Sequence, residues 1–133
     1  MLTELELALR REFARAVRHR QPIAVLLVDL PPSPDVLERI RDAVRLYDSP
    51  VPAPGDRVAV ILPETPLAGA LLVATRLAGA LGPSPTTGGS RSVGVGSYPS
   101  PSIADAAGLL RAAEKALEVA RSRAGGILTP LSR

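Results

Sequence analysis

Pro54-Gly55-Asp56-Arg57-Val58-Ala59-Val60-Ile61-Leu62-Pro63-Glu64-Thr65 reads as a tight turn that feeds a strand. Pro54 fixes φ and Gly55 frees it, a pair that opens turns. Val58 to Leu62 is an unbroken apolar run, the pattern of a strand covered on both faces. Upstream lies Asp48-Ser49-Pro50-Val51-Pro52-Ala53. Its two prolines permit at best an edge strand or an irregular arm. The two segments are expected to form a hairpin.

Working outward, Ile23 to Val28 is a second continuous apolar run, stopped at Asp29 ahead of Pro31, Pro32 and Pro34. It reads as a central strand. Before it, Thr3 with Glu6 forms a capping-box pattern, and Leu5, Leu9, Phe13 and Val17 recur at helical spacing until Gln21-Pro22. Between the runs, a helix starts near Ser33 or Asp35. Pro34 suits its first turn, and Val36, Leu37, Ile40, Val44 and Tyr47 make its stripe. After the hairpin, Thr65-Pro66 is expected to cap a helix that reaches about Leu81. Leu67, Leu71, Ala74, Leu77 and Leu81 would face inward. Gly82 to Gly89 reads as a loop. Ser92-Val93-Gly94-Val95-Gly96 reads as a short strand whose glycines imply close backbone approach. Ser102 with Asp105 is expected to cap a last helix to about Arg123. Ala124-Gly125-Gly126 would end it, and Ile127-Leu128 would add an edge strand. The expected fold is α/β (α+β): one domain over residues 1–133, with helices packed on a mixed sheet of about five strands.

Composition narrows the classes. The 133 residues suit one core, and 46% are apolar. Only 2% are aromatic, so the core rests on Leu, Val, Ile and Ala, and no stacking platform for single-stranded nucleic acid exists. The net charge of +3 is modest. No run approaches the roughly 18 apolar residues of a membrane span, and no secretory signal is evident. These features point to the cytoplasm, with neither a nucleic-acid nor a membrane partner. Cysteine is absent, which excludes disulfides and thiolate metal sites. Fifteen arginines against Lys115 alone, with 14 prolines, point to a GC-rich or heat-adapted (thermophile) source.

The quoted hairpin resembles the signature of diguanylate cyclases, the GGDEF domains. That family reads Gly-Gly-(Asp/Glu)-Glu-Phe, an apolar strand, then Leu-Pro and an acidic-Thr pair. Other segments match in order. Pro22 to Asp29 is similar to the family's first strand, which ends in a metal-binding Asp. Ser92-Val93-Gly94-Val95 is similar to its Ser-Ile-Gly-Val strand. Ala113-Glu114-Lys115-Ala116-Leu117 through Ala120-Arg121 is similar to its Ala-Asp-x-Ala-Leu-Tyr-x-Ala-Lys helix. The agreement covers nearly the whole chain. It implies a nucleotidyl-cyclase-like fold.

The departures from the signature imply a degenerate, catalytically inactive member. Pro54 replaces the first signature glycine and removes an N–H donor. Arg57 stands at the fourth, acidic position and inverts its charge. Val58 takes the aromatic fifth place, while Gly55 and Asp56 persist. The family's extra helix and guanine-reading Asn segment give way to Pro31-Pro32-Ser33-Pro34 and a shorter connection. Asp29 and Asp56 survive at the metal positions, where two oxygen ligands would hold Mg²⁺ with waters and phosphates. The alternative is that Asp29 ends a strand and Asp56 sits in a turn. Arg121 replaces a phosphate-binding Lys.

The resemblance also implies an inhibitory site for the product, cyclic di-GMP. Its Arg-x-x-Asp motif corresponds to Arg45-Leu46-Tyr47-Asp48, and Arg76 corresponds to a further arginine on the helix after the hairpin. Arginine forks suit phosphate and guanine. The alternative is a helix-end ion pair between Arg45 and Asp48, with Arg76 solvated. Two expectations follow: a cyclic di-GMP receptor through Arg45, Asp48 and Arg76, or a pseudo-enzyme that binds a protein or a second copy of itself. A third is GTP binding without turnover through Asp29, Asp56 and Arg121. The family's first helix often continues from an upstream sensory domain, so the chain fits either a fragment or a stand-alone regulator. His19 has no catalytic partners, and Ser92 and Ser97 have no base. Arg10, Arg11, Arg15, Arg18 and Arg20 read as a solvated helix face, or as a site for an acidic protein.

Overall fold

The computed structural model describes residues 2–83, 91–123 and 126–128. The elements are α1 (Glu4–His19), β1 (Ile23–Val28), α2 (Pro34–Ala43), β2 (Ser49–Ala53) and β3 (Arg57–Pro63). Then follow α3 (Leu67–Leu81), β4 (Ser92–Tyr98), α4 (Ala106–Ser122) and β5 (Gly126–Leu128). The five strands form one sheet in the order β2-β3-β1-β4-β5. β1 lies at its centre, antiparallel to β3 and β4, and β5 runs parallel to β4. The mixed five-stranded sheet and the closing edge strand agree with the sequence reading.

All six residues of β1 are buried, because helices cover both faces. Strand side chains alternate, so the run divides between two cores. Ile23, Val25 and Leu27 join Leu5, Leu9 and Phe13 of α1 and Leu109 and Leu117 of α4. Ala24, Leu26 and Val28 join Ile40 of α2 and Ala74 and Leu77 of α3. β4 divides the same way. Val93 and Val95 point toward α3, while Gly94 and Gly96 lie against the α4 backbone.

Local chemistry sets the ends of the elements. Thr3 and Glu6 form the reciprocal capping box of α1. Ser33 caps α2, with Pro34 in its first turn. The arm upstream of the turn is a regular edge strand. Pro50 and Pro52 alternate with Ser49, Val51 and Ala53, so their missing N–H groups fall on the open side of the ladder. β2 and β3 make the expected hairpin, in which Ala53 pairs with Arg57 around Pro54-Gly55-Asp56.

Several expectations are corrected. Val17 is 48% exposed, and Ala16 takes the inward place at the end of α1. α2 stops at Ala43, so Val44 and Tyr47 lie beyond it. Asp48 accepts from the Arg45 backbone N–H at 3.0 Å and closes a separate turn there. α3 has no side-chain cap: its N-cap is Pro66, and Thr65 is bonded elsewhere. Leu67 and Leu71 are only half-buried, because Ala70 and Val73 turn toward the sheet. β4 runs on to Tyr98. Asp105 alone caps α4 by accepting from Gly108 N–H, while Ser102 lies in the preceding turn. The expected Gly82–Gly89 loop from residue 84 onward, and Ala124-Gly125, lie outside the described residues. Among the described residues, no helix is long and apolar enough to cross a membrane.

Candidate functional site

The β1–β3 register pairs Val28 with Val58. One step further out, Asp29 and Arg57 therefore stand opposite each other at the end of the ladder. Asp29 is pinned from the other side, where its N–H donates to Ser92 O at 3.3 Å. The last turns of α4 bring up Glu118 and Arg121, three residues apart on one face.

These four side chains form one ion network. Arg121 Nε lies 3.2 Å from Asp29 Oδ2, and Arg57 Nε lies 4.0 Å from Asp29 Oδ1. Arg57 Nη2 donates to Glu118 Oε1 at 2.8 Å, and Arg121 Nη1 is 3.5 Å from the same oxygen. Two cations face two anions, so the cluster is neutral overall. Arg57 is its most buried member, with 16% of its side chain exposed, against 34% for Asp29. Its Nε is buried without a hydrogen-bond partner among the described residues. The sequence reading missed Glu118. Its spacing from Arg121 on α4 was the available signal.

The rest of the hairpin signature serves the turn. Gly55 has φ +82° and Asp56 has φ +61°, both in the left-handed region. Glycine adopts this freely, and Asp tolerates it better than most residues. Pro54 and Asp56 are exposed, and Asp56 forms no ion pair among the described residues. Val58 is fully buried core.

A divalent cation does not fit these residues. Both oxygens of Asp29 face guanidinium groups, whose fixed positive charges oppose a second cation on that carboxylate. Among the described residues, no three acidic or histidine side chains converge.

Arg45 and Asp48 come together in a second, separate cluster. Nε and Nη2 of Arg45 fork onto the two Asp48 oxygens, each at 3.3 Å. Asp48 Oδ2 also accepts from the Arg45 backbone N–H, and Asp48 N–H donates to Arg45 O at 3.1 Å. The Asp48 side chain is wholly buried, while that of Arg45 is 38% exposed. Arg45 Nη2 further donates to Thr65 Oγ1 and to Pro63 O. Thr65 Oγ1 in turn donates to Pro63 O at 2.8 Å. The bonds to Asp48, set against partial burial, hold the Arg45 guanidinium above its ordinary pKa, so it stays charged. Arg76 is exposed, and its Nη1 donates to Ala43 O at 3.3 Å.

A family model described as a GGDEF-like domain matches residues 4–119. Comparison with curated proteins returned no match. Among solved structures, the chain is similar to the GGDEF domain of YfiN (TpbB) from Pseudomonas aeruginosa. The identity is 26%, over 93% of this chain and 91% of that one, with a TM-score of 0.78. It is also similar to the active GGEEF domain of a diguanylate cyclase from Vibrio cholerae, at 18% identity, 92% and 91% coverage and a TM-score of 0.76. A third relative in shape is the GGDEF domain of DgcB from Caulobacter crescentus, solved with cyclic di-GMP, at 12% identity, 96% and 86% coverage and a TM-score of 0.75. The family match takes in every element from α1 to most of α4, and the solved domains share the sheet and its helices: the chain belongs to the GGDEF-like domain family.

Proposed function

We propose that this domain is a catalytically inactive GGDEF-like signalling module that acts by contact with protein rather than by making a nucleotide. One observation carries the reading: the guanidinium of Arg57 lies toward Asp29, with Arg121 on the carboxylate's other oxygen. A cyclase needs metal on a triphosphate, and electrostatic stabilisation of the transferring group by metal is the main source of rate in such chemistry. Here an internal cation takes that carboxylate. Pro54 in the turn and the five-residue connection from Asp29 to Ser33 leave little backbone to cradle phosphates. The Vibrio cholerae relative is an active domain of the same fold, so the fold alone does not decide activity, and the reading rests on these side chains, the turn and the short connection.

The test is incubation of the purified chain with GTP and Mg²⁺, followed by chromatography of the nucleotides. No cyclic di-GMP is expected, and GTP is expected to leave the melting temperature unchanged. Accumulation of cyclic di-GMP would end the reading.

The geometry also bears on cyclic di-GMP as a ligand through Arg45, Asp48 and Arg76. To receive guanine, Asp48, whose side chain is wholly buried, would have to give up a guanidinium fork and a backbone N–H. Charged hydrogen bonds of this kind contribute about 1.5–3 kcal/mol each, so the internal partners compete strongly. Calorimetric titration with cyclic di-GMP is expected to give no binding heat. A saturable exotherm that Arg76→Ala abolishes would instead assign the receptor role that the motif implies.

A further inference from the structure

Residues 10–20 hold five arginines against one acid, Glu12, a net charge of +4. The whole chain carries +3, so the remaining residues together carry −1. The positive charge of this protein is thus gathered on the second half of α1 and its cap, Arg20. A helix C-terminus favours cations in its last turn, which accounts for Arg18. It does not account for Arg10 and Arg11, two turns earlier. Pairing does not account for them either. Glu12 lies 3.9 Å from Arg11 and 4.0 Å from Arg15, at the limit of an ion pair. Among the described residues, Arg10, Arg18 and Arg20 enter no ion pair.

All of these groups stand on one helix, so helical geometry fixes where they lie. α1 turns Leu5, Leu9, Phe13 and Ala16 to the core. At about 100° per residue, Leu7, Arg11, Ala14 and Arg18 project from the opposite side. The exposures agree: Leu7 is 56% and Val17 is 48% exposed, and Arg10, Arg11, Ala14 and Arg18 are exposed too. Leu7, Arg10, Ala14 and Val17 follow one another at spacings of three, four and three, the seam of a two-helix coil. Arg11 and Arg18 each stand one residue beyond a seam position, on the flank where such coils carry charge. The core side of α1 is held by packing, so the outer face is in place before any partner arrives, and little order is lost on contact.

We propose that the outer face of α1 docks an acidic amphipathic helix of another protein. Apolar side chains of that helix would cover Leu7, Ala14 and Val17, and its carboxylates would meet Arg11 and Arg18. Charge complementarity selects this occupant. A second copy of the chain would bring the same arginines, and like charges set face to face repel. A nucleic acid is favoured by aromatic stacking and a broad positive surface, whereas this face holds no aromatic and the rest of the chain is net negative. A lipid surface takes up a helix by its large apolar face, and the large apolar face of α1 is buried in the core. An acidic helix answers the charge, the linear shape and the seam spacing together. The inference rests on the reading that the domain works by contact with protein. Its test is separate, since peptide binding and GTP turnover are measured independently.

The probe is a synthetic three-heptad peptide with Leu at both seam positions and Glu at both flanks, carrying a fluorophore and titrated with the full chain by anisotropy. Saturable binding is expected, weakening as salt is raised. The same peptide with Lys at the flanks is expected not to bind. Arg11→Glu/Arg18→Glu is expected to weaken binding by about tenfold or more, since two attractions become two repulsions, with an unchanged circular dichroism spectrum. Leu7→Gln/Val17→Gln is expected to weaken it as well, an effect that charge attraction alone would not produce. Arg41→Glu/Arg123→Glu removes the same charge from exposed positions on other elements and is expected to bind like the wild type. A wild type that ignores the acidic peptide overturns the proposal, whether or not it co-sediments with phosphatidylserine vesicles. So does binding of the Lys peptide, binding that survives either α1 double variant unchanged, or binding lost equally in Arg41→Glu/Arg123→Glu.

Discussion

Gly94→Ala is expected to lower the unfolding free energy by about 3 kcal/mol, the upper end of what overpacking a well-filled core costs. A Cβ at this position would lie 2.3 Å from Ala113 O, 2.5 Å from Leu117 N and 2.9 Å from Leu117 Cα. All three atoms belong to the backbone of α4, so no side chain can rotate away. The helix would have to lift off the sheet. That would open the core that Leu109 and Leu117 share with β1. Chemical denaturation should show the loss as a lower midpoint, and the melting temperature should fall by roughly 10 °C. Gly79→Ala supplies the contrast. Gly79 lies within α3, and a Cβ there meets nothing within 4 Å. Alanine is the better helix former, so this variant should be up to about 1 kcal/mol more stable than the wild type. If Gly94→Ala unfolded with the wild-type midpoint, the seating of α4 on β4 described above would be wrong.

Arg45→Ala carries the second large effect, an expected loss of about 2 kcal/mol. Removing one partner of a buried ion pair costs about 3–5 kcal/mol, because the other charge is left without compensation. Solvent reaches 38% of the Arg45 side chain, and water screens part of the interaction, which argues for the smaller figure. Asp48 would keep one backbone N–H, and Thr65 would keep its bond to Pro63 O. Arg45→Ala/Asp48→Ala should be less destabilised than the sum of the two single variants, since the double change leaves no buried carboxylate stranded. Urea unfolding of the four proteins measures this directly. Strict additivity would show that the pair contributes nothing jointly. Arg76→Ala breaks only an exposed contact to Ala43 O and is expected to change stability by less than about 0.5 kcal/mol. It is therefore the cleaner variant for any ligand titration.

Much of the fold was legible because it depends on short-range pattern. The apolar runs Ile23–Val28 and Val58–Leu62, short and bounded by turn residues, read as buried strands, and Thr3, Ser33 and Asp105 cap helices through bonds within three residues. The misread ends had long-range causes. Thr65 looks like an N-cap, yet its hydroxyl serves Arg45, twenty residues away in sequence. Tyr47 fits the stripe of α2, yet the helix stops short because Asp48 captures the Arg45 backbone N–H.

The candidate sites divide in the same way. Sequence alone marked Asp29 as a retained carboxylate, Arg57 as a charge inversion in the hairpin signature and Arg121 as a replacement for a lysine on the last helix, and Arg45 with Asp48 as a spaced pair. It also fixed the hairpin, since Gly55 and Asp56 are residue types that accept a left-handed backbone. Which charges meet was decided only by tertiary structure. The β1–β3 register sets Asp29 across from Arg57, and the close seating of α4 on Gly94 and Gly96 delivers Glu118 and Arg121 to the same point. Spacing along a chain fixes local dihedrals and faces. Coulomb attraction depends on distance in space, and that distance exists only once the sheet and its helices have packed.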